Sequence, residues 1–174
     1  MVKKIDFAYN VLNQVHDWIR FSDEKAGLIL ATDGVLLGFF TSQISSVKST
    51  IIQIPNWSLL MIFYFLVVMI GLCLLLSIVF AFRVIYPQLN VGESKSLIYF
   101  GHIHTKSECD FVSEFLKADD DKLERDVLTQ IYSCAKIAWQ KYKNTCYSIR
   151  SLIAVIIFWG LSLLFPLMLP CSFS

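Results

Sequence analysis

The chain has 174 residues, of which 56% are hydrophobic and 14% aromatic, and its mean hydropathy is +0.59. An ordinary soluble domain is only about 45–50% apolar, so this composition excludes that class. The formal net charge is +1, which excludes the broad basic field by which many proteins bind nucleic-acid polymers. The apolar residues fall in long uncharged blocks, and this distribution indicates a membrane protein.

The N-terminal segment, residues 1–24, predicts a cytoplasmic amphipathic helix. Apolar side chains recur at helical spacing on one face, at Ile5, Ala8, Leu12, Val15 and Ile19. The opposite face is not rich in lysine or arginine, as it is in helices that lie on lipid. We therefore expect this helix to pack against the cytoplasmic part of the same protein.

Three segments predict transmembrane helices. Residues 57–82 carry no charge and, as a helix, exceed the roughly 30 Å thickness of the hydrocarbon core. Residues 151–170 form a second uncharged block. Residues 25–44 form the weakest of the three spans, because Asp33 interrupts the apolar run.

The segment between the second and third spans, residues 83–150, predicts a mostly helical cytoplasmic insert. Pro87 ends or kinks the second helix, and Gly92 with Ser94 marks a turn. The stretch SLIYFGHIH that follows is short, β-branched and aromatic, which is typical of a strand or an ordered apolar loop.

Two further helices are expected in the insert. Ser107 predicts an N-cap, followed by a buried stripe at Phe111, Phe115 and Leu116. The acidic run ADDD ends this helix, and Asp121 with Glu124 resembles a capping box. One long helix is then expected over residues 121–169. The residues that keep helical spacing up to the third span are Leu123, Val127, Ile131, Cys134, Ala138, Tyr142, Thr145 and Ile149.

Lysine and arginine placement predicts the orientation. Several precede the first span, only Lys48 lies between the first and second, most lie between the second and third, and none follows the third. The N-terminus and residues 83–150 are therefore expected in the cytoplasm and the C-terminus outside. The predicted fold is an all-α membrane protein with three transmembrane helices.

The aspartate in the first span needs a special environment. A charged group near mid-membrane costs about 2.5–3.5 kcal/mol on insertion scales, so Asp33 should face protein or water. It is either a neutral group bonded to a neighbouring backbone, Tyr64 or Ser77, or part of a gate built by several subunits. Beside it lies a small-residue seam that favours helix contacts within or between subunits: Gly27, Ala31, Gly34 and Gly38.

Other polar residues give weaker signals. Asp23 and Lys25 stand two apart at the membrane mouth, so each needs a partner elsewhere. Trp18 beside them fits an interfacial aromatic belt. His102 and His104 would share a face of a strand, but no further ligands follow at metal-site spacing, and no metal is predicted. The sequence has no phosphate-binding loop, nucleophile elbow or HExxH motif, so we do not expect an enzyme.

Several motifs resemble one family. WIRFSDEKAGLILATDG is similar to the Trp…Phe-x-Asp-x-Lys-Ala signature that opens the Pycsar transmembrane effectors. SLIYFGHI, FVSEFL and DVLTQIYSCAKIAWQKY resemble the cytoplasmic segment of that family. The resemblance covers residues 10–150. The residues that match its motifs are Trp18, Asp23, Lys25, Ala26, Phe100, Gly101, Tyr132, Lys141 and Tyr142.

The resemblance implies an anti-phage effector of the bacterial inner membrane. A cyclic pyrimidine mononucleotide such as cCMP or cUMP, made on infection, would trigger rearrangement of a homo-oligomer that disrupts the bilayer. Such a ligand needs a cation for its phosphate, an aromatic ring for its base and polar groups for its edges. The candidate ligand-binding residues are Trp18, Asp23, Lys25, Phe100, Gly101, His102, Lys141 and Tyr142.

A second class of function stays open. In a non-enzymatic membrane scaffold or sensor, the insert would bind a protein partner and the spans would only anchor it. The long uncharged second span favours this alternative.

Overall fold

The computed structural model describes residues 2–51, 57–86 and 96–164, and its regular structure in these ranges is entirely helical. The helices in chain order are α1 (Val2–Ile51), α2 (Trp57–Ile85), α3 (Phe100–Ile103), α4 (Glu108–Lys117) and α5 (Asp120–Leu164). The predicted all-α class is confirmed. Pro87, the turn predicted at Gly92 and Ser94, and the last residues of the helix predicted over 121–169 lie outside the described residues.

Three of the helices, α1, α2 and α5, are long and apolar enough to cross a membrane. The most apolar window of α2 has a mean hydropathy of 3.0, against 1.4 in α1 and 1.8 in α5. The amphipathic helix and the first span, predicted as separate segments, form the single helix α1. Its sequence contains no proline, so nothing in it forces a break.

The chain divides into two compact units. The first comprises Met1–Asp23 and Tyr86–Tyr142, and the second comprises Glu24–Ile85 and Lys143–Ser174. In the first unit, Leu12 and Val15 of α1 pack with Cys134 and Ala138 of α5. The prediction that the N-terminal helix packs against the insert is therefore confirmed.

Helices α1 and α5 run parallel in the first unit. His16 Nε2 lies 3.5 Å from Cys134 Sγ, and Asp23 pairs with Lys141 seven residues further along both helices. The two residues of each pair are 118 positions apart in the sequence. The two helices therefore run in the same direction with a constant register.

The second unit is built by α1, α2 and α5. Its core contains Ile70, Cys73 and Leu74 of α2 with Val155 of α5, and Phe40 of α1 packs against it. Helix α2 runs antiparallel to α1, because its residues 71 and 77 lie beside residues 40 and 33, respectively.

Buried and half-buried positions recur in alternating steps of four and three along both long helices. The average step of 3.5 residues is that of coiled-coil packing, in which side chains of one helix fill gaps in the next. The positions in α1 are Ala8, Leu12, Val15, Ile19, Ser22, Ala26, Ile29, Asp33, Leu36 and Phe40. Those in α5 are Val127, Ile131, Cys134, Ala138, Lys141, Thr145, Ser148, Leu152 and Val155.

This repeat differs from the helical spacing predicted for the last helix. Tyr142 and Ile149 belong to the predicted spacing, but both are exposed. Lys141 and Ser148 occupy the buried positions instead. A search for apolar residues passes over both, because one is charged and the other polar.

The stretch SLIYFGHIH forms neither a strand nor a simple loop. Ser96 Oγ accepts hydrogen bonds from the backbone N–H groups of Ile98, at 3.1 Å, and Tyr99, at 3.3 Å. A hydroxyl that binds the following backbone favours a turn over an extended strand, and α3 begins directly afterwards. The backbone N–H of Leu97 donates to Asp126 Oδ2 of α5 at 2.9 Å, which anchors this turn.

Two capping predictions have different outcomes. Ser107 caps α4 as predicted, since its Oγ accepts a hydrogen bond from the backbone N–H of Asp110 at 3.2 Å. The capping box at Asp121 is wrong, because α5 begins at Asp120. Asp119 Oδ1 accepts the backbone N–H of Lys122 at 3.0 Å and takes the capping role.

The buried stripe predicted for α4 is also wrong. Phe111 is half-buried, but Phe115 is exposed and Leu116 is 78% exposed. Helix α4 has no fully buried residue. Lys106 donates a hydrogen bond to Glu114 at 2.5 Å, which fastens the helix to the preceding turn and holds the pKa of Glu114 below its usual value.

The predicted orientation can be tested by labelling single cysteines in intact cells. In a variant that lacks the native cysteines, Lys48→Cys should react with an impermeant maleimide and Lys117→Cys should react only after the cells are opened. A cysteine appended after Ser174 should label like Lys48→Cys. A C-terminal cysteine that is protected in intact cells would contradict the arrangement.

Candidate functional site

The first unit joins two candidate ligand-binding residues that are distant in sequence. Lys141 Nζ donates a hydrogen bond to Asp23 Oδ1 at 2.5 Å, which links α5 to α1. The lysine is only 6% exposed, whereas the carboxyl side chain of Asp23 keeps 39% of its surface in solvent. The partner that Asp23 was expected to need is therefore Lys141.

Burial makes this ion pair asymmetric. The lysine occupies a core position of the seven-residue repeat, so its ammonium group has lost most of its water and depends on neighbouring acceptors. Asp23 reaches the solvent and can exchange its partner for water at lower cost. If a competing anion reached Lys141, it would therefore release Asp23 and still leave the buried ammonium group paired with a negative charge.

Aromatic rings lie close to this pair along the sequence. Trp139 and Tyr142 of α5 stack with their ring centres 5.7 Å apart and their planes inclined by 22°. Tyr142 is exposed, and so is Trp18 on α1. A flat base can stack on such exposed rings, and the first unit thus holds a cation and aromatic surfaces on the same two helices.

The other predicted ligand residues of the insert form the turn around α3. Phe100 is exposed and its ring lies 4.9 Å from the Tyr99 ring. His102 Nδ1 accepts the backbone N–H of Ser96 at 3.2 Å, and its ring meets Tyr99 edge-on at 5.1 Å. A Cβ added to Gly101 would lie 2.6 Å from the Tyr99 ring, so this position requires glycine or a displaced ring.

These contacts sort the predicted ligand residues into separate groups. Asp23 and Lys141 form one pair, and Phe100, Gly101 and His102 belong to the turn that is anchored on Asp126. Lys25, which was grouped with Asp23 from the sequence, is exposed and belongs to the second unit.

A polar cluster lies within the second unit, at core positions of three helices. Asp33 of α1, Ser77 of α2 and Ser148 of α5 are each completely buried. Ser77 Oγ donates to Asp33 Oδ2 at 2.8 Å, and Ser148 Oγ donates to the backbone carbonyl of Ser77, also at 2.8 Å. Ser77, but not Tyr64, is thus the partner of Asp33, as one of the two sequence interpretations proposed.

The cluster leaves one polar atom unsatisfied. Asp33 Oδ1 is buried and has no hydrogen-bond partner among the described residues. The Ser77 hydroxyl has one proton to donate, and the nearest acceptor takes it. A buried acceptor without a donor costs about 1–3 kcal/mol, so the cluster is a costly part of the bundle that a rearrangement could relieve.

The small-residue seam does not contact the other described helices of its own chain. Gly27, Ala31, Gly34 and Gly38 are exposed, and a Cβ added to any of the three glycines meets nothing within 4 Å. The possibility that the seam packs within one subunit is therefore wrong for the described residues. A contact between subunits stays a prediction.

Comparison with known proteins decides the family. The model of the Pycsar effector protein domain, PycTM, matches residues 7–166, which is most of the chain. The chain belongs to the Pycsar effector family. The match includes both helices of the Asp23–Lys141 pair and the three helices of the polar cluster.

Two named relatives share the greater part of this effector's length. The Pycsar effector protein SaPycTM of Staphylococcus aureus is 23% identical over 141 residues, covering 81% of this chain and 82% of the relative. The Pycsar effector protein GmPycTM of Gulbenkiania mobilis is 27% identical over 179 residues, covering 90% of this chain and 91% of the relative. No solved structure matches the chain. Family membership implies an anti-phage role as a membrane effector, and the three candidate spans make it a multi-pass membrane protein.

Substitutions of Asp33 test whether the polar cluster only stabilises the bundle. Asp33→Asn keeps an acceptor for Ser77 and should insert and assemble normally, whereas Asp33→Leu removes the acceptor and should lower stability by about 1–3 kcal/mol. Thermal unfolding in detergent and membrane depolarisation on activation should be measured for both. Activity that survives in the Asn variant indicates a structural role, and altered conductance in a normally assembled Asn variant indicates a gate. Normal assembly and depolarisation in the Leu variant would reject both roles.

Gly34→Leu tests the small-residue seam. A Cβ added at this position meets nothing within 4 Å, and leucine favours a helix over glycine by roughly 0.5–1 kcal/mol, so the single chain should fold. If the seam joins subunits, the subunit count in detergent should fall. Leu28→Ala, which changes the next exposed face of α1, is the matched control. An unchanged subunit count and thermal stability in Gly34→Leu would show that the seam is not a packing surface.

Proposed function

We propose that this Pycsar effector binds a cyclic pyrimidine mononucleotide, such as cCMP or cUMP, through its first unit. Binding rearranges a homo-oligomer, and the rearrangement disrupts the bacterial inner membrane. The N-terminus and the insert are cytoplasmic, where the nucleotide is made. The protein acts by binding and rearrangement and is not an enzyme.

The observation that carries this proposal is the ion pair between Asp23 and Lys141. It connects the opening motif of the family with its last motif, although 118 residues separate them. The phosphate of a cyclic mononucleotide has one negative charge, as the Asp23 carboxylate does. The nucleotide can therefore replace Asp23 on Lys141 and leave the buried ammonium paired.

The groups around the pair suit the remaining parts of the ligand. Trp18 and Tyr142 offer exposed rings on which a base can stack, and the released Asp23 can accept a hydrogen bond from a ribose hydroxyl or a base amine. The turn around α3 adds Phe100 and His102 as candidates for contacts with the edge of the base.

Breaking the pair would loosen a contact between α1 and α5. Both helices are unbroken, α1 over Val2–Ile51 and α5 over Asp120–Leu164, so a shift in either one extends along its length. Further along the same two helices stand Asp33 and Ser148, whose hydrogen bonds with Ser77 are specific to one arrangement. A ligand shifts this equilibrium only by its preference for one state.

The required preference can be stated. Converting a population that is 99% closed into one that is 99% open takes about a 10⁴-fold preference of the ligand for the open state. One phosphate contact does not supply this. Several copies acting on one equilibrium reduce the share that each site must provide, which supports a homo-oligomer.

The direct test uses bacteria that express the effector with an active or an inactivated pyrimidine nucleotide cyclase. A potential-sensitive dye should report depolarisation only with the active enzyme. Depolarisation with the inactive cyclase would contradict nucleotide control. Absence of depolarisation in both, with an intact membrane, would favour the scaffold alternative.

Lys141→Met tests the role of the ion pair. Methionine fills the volume of the lysine stem without a charge, and Asp23 keeps access to water, so stability should change by no more than about 1 kcal/mol. The variant should fold but lose at least tenfold in nucleotide affinity and in depolarisation. Lys136→Met, on an exposed position of the same helix, is the control and should respond normally. A normal response of Lys141→Met would remove this lysine from the site.

A further inference from the structure

Helix α1 carries an exposed apolar stripe on a face other than its core. In the first unit this stripe comprises the exposed residues Phe7, Trp18 and Phe21 and the half-buried Val11, with Gln14 at the remaining position. Phe7 is 69% exposed and Phe21 is 55% exposed. The steps between these residues are again four and three, so the stripe has the period of coiled-coil packing.

Helix α5 carries a second exposed stripe with the same period. Its members in the first unit are Leu128, Tyr132, Ala135, Trp139 and Tyr142. Tyr132 is 69% exposed and Trp139 is 60% exposed. Polar and charged residues such as Asp17 of α1 and Lys136 of α5 lie on neighbouring exposed positions. Such charges suit water rather than lipid.

The two stripes lie side by side on the first unit. A groove of about 580 Å³ is lined by Phe7 and Val11 of α1 together with Leu128 of α5. In a parallel pair of helices, the positions on one side of the core positions in the first helix lie beside the positions on the opposite side of the core positions in the second helix. The two stripes occupy such positions, so they lie on the same side of the helix pair. Together they form one apolar surface, the aromatic face, defined by the two stripes.

The period and the extent of the aromatic face indicate what covers it. A seven-residue repeat of apolar positions matches a helix laid along it. The helices that carry the two stripes, α1 and α5, are also candidate membrane spans, so a second membrane-anchored chain can lie alongside them.

We propose that a second copy of this chain covers the aromatic face, with α1 of each copy against α5 of the other. The two copies are related by a two-fold axis that runs along the helices. This inference rests on the self-association in the proposed function and identifies the surface that mediates it in the resting state; a nucleotide that stacks on Trp18 and Tyr142 would displace the second copy from these two rings.

Residue levels support this pairing. Within one chain, residue n of α1 lies level with residue n + 118 of α5. Two copies in one bilayer share the same levels, so Phe21 of one copy faces residue 21 + 118 = 139, which is Trp139, on the other. By the same offset Gln14 faces Tyr132, where an amide can bond a hydroxyl. Phe21 thus meets an aromatic ring, and the one polar residue of the α1 stripe meets a phenol.

The size of the aromatic face also fits a stable contact. A large aromatic side chain buries about 150–250 Å² when it is covered. Trp18, Phe21, Tyr132 and Trp139 occur in both copies, so their burial alone approaches the roughly 1,000 Å² expected of a specific interface. The small-residue seam lies on another face of α1 and stays available for joining such pairs.

Cysteine cross-linking in membranes tests the pairing. One differently tagged chain carries Phe21→Cys and the other carries Trp139→Cys, both without native cysteines, and they are co-expressed and mildly oxidised in vesicles that contain no nucleotide. We expect a disulfide-linked dimer of the two tags in at least tenfold excess over the matched control. That control pairs Asp17→Cys with Lys136→Cys, which lie at nearly the same level on the same helices but off the aromatic face.

The other outcomes overturn the pairing. Dimers linked through Trp139→Cys alone would show that α5 pairs with α5, and preferential linkage of the control pair would place the contact elsewhere. A chain that retains its native cysteines provides a second test: Trp139→Glu should reduce the subunits counted by photobleaching in nanodiscs, and Lys136→Glu should not. Equal counts in the two variants, or no 21–139 linkage in vesicles that still depolarise on addition of nucleotide, would reject this interface while leaving the proposed function intact.

Discussion

The burial of charged and polar groups at core positions of a seven-residue repeat is the constraint on which this effector depends. Lys141 and Ser148 of α5 and Asp33 of α1 occupy positions that a coiled coil normally gives to apolar side chains. Each must find a partner on the facing helix, because a buried polar group without one is costly. The packing of the helices is therefore tied to specific bonds, and it has one preferred register.

These bonds are also the weakest points of the packing. An apolar core would hold the helices together in any state, and a ligand would have little to act on. In the proposed site an anion opens the Asp23–Lys141 pair, and the cluster around Asp33 keeps one oxygen unsatisfied. A membrane effector must be silent until it is needed, and marginal polar contacts provide a resting state that is specific but can be released.

Much of the fold follows from the sequence because apolar periodicity is a strong signal. The three long apolar helices, the cap at Ser107 and the core positions Leu12, Val15 and Cys134 were predictable for this reason. Asp33 and Ser77 were predictable as partners because an aspartate in a span demands one.

The remainder depended on groups that periodicity does not detect. Lys141 is the clearest case. A lysine next to apolar positions is normally interpreted as the polar boundary of an apolar stripe, but this side chain is buried. Ser148 was missed for the same reason. The turn at Ser96 arises from side-chain acceptors that compete with strand formation, and Leu116 is exposed because its short helix has nothing to pack on. Tracing the steps of four and three through polar positions would have found both Lys141 and Ser148.

If Lys141 receives the phosphate of the nucleotide as proposed, its burial has a consequence for the time course of the response. A nucleotide cannot approach a covered ammonium group directly, so it must wait for a spontaneous opening of the pair. At high nucleotide concentration the association rate should then level off at the opening rate instead of rising in proportion. Abundant cellular anions that bind weakly would be released before α1 and α5 part, whereas a ligand that also holds the rings stays long enough to act. The covered lysine would thus act as a kinetic filter that separates an infection signal from the steady background of phosphates.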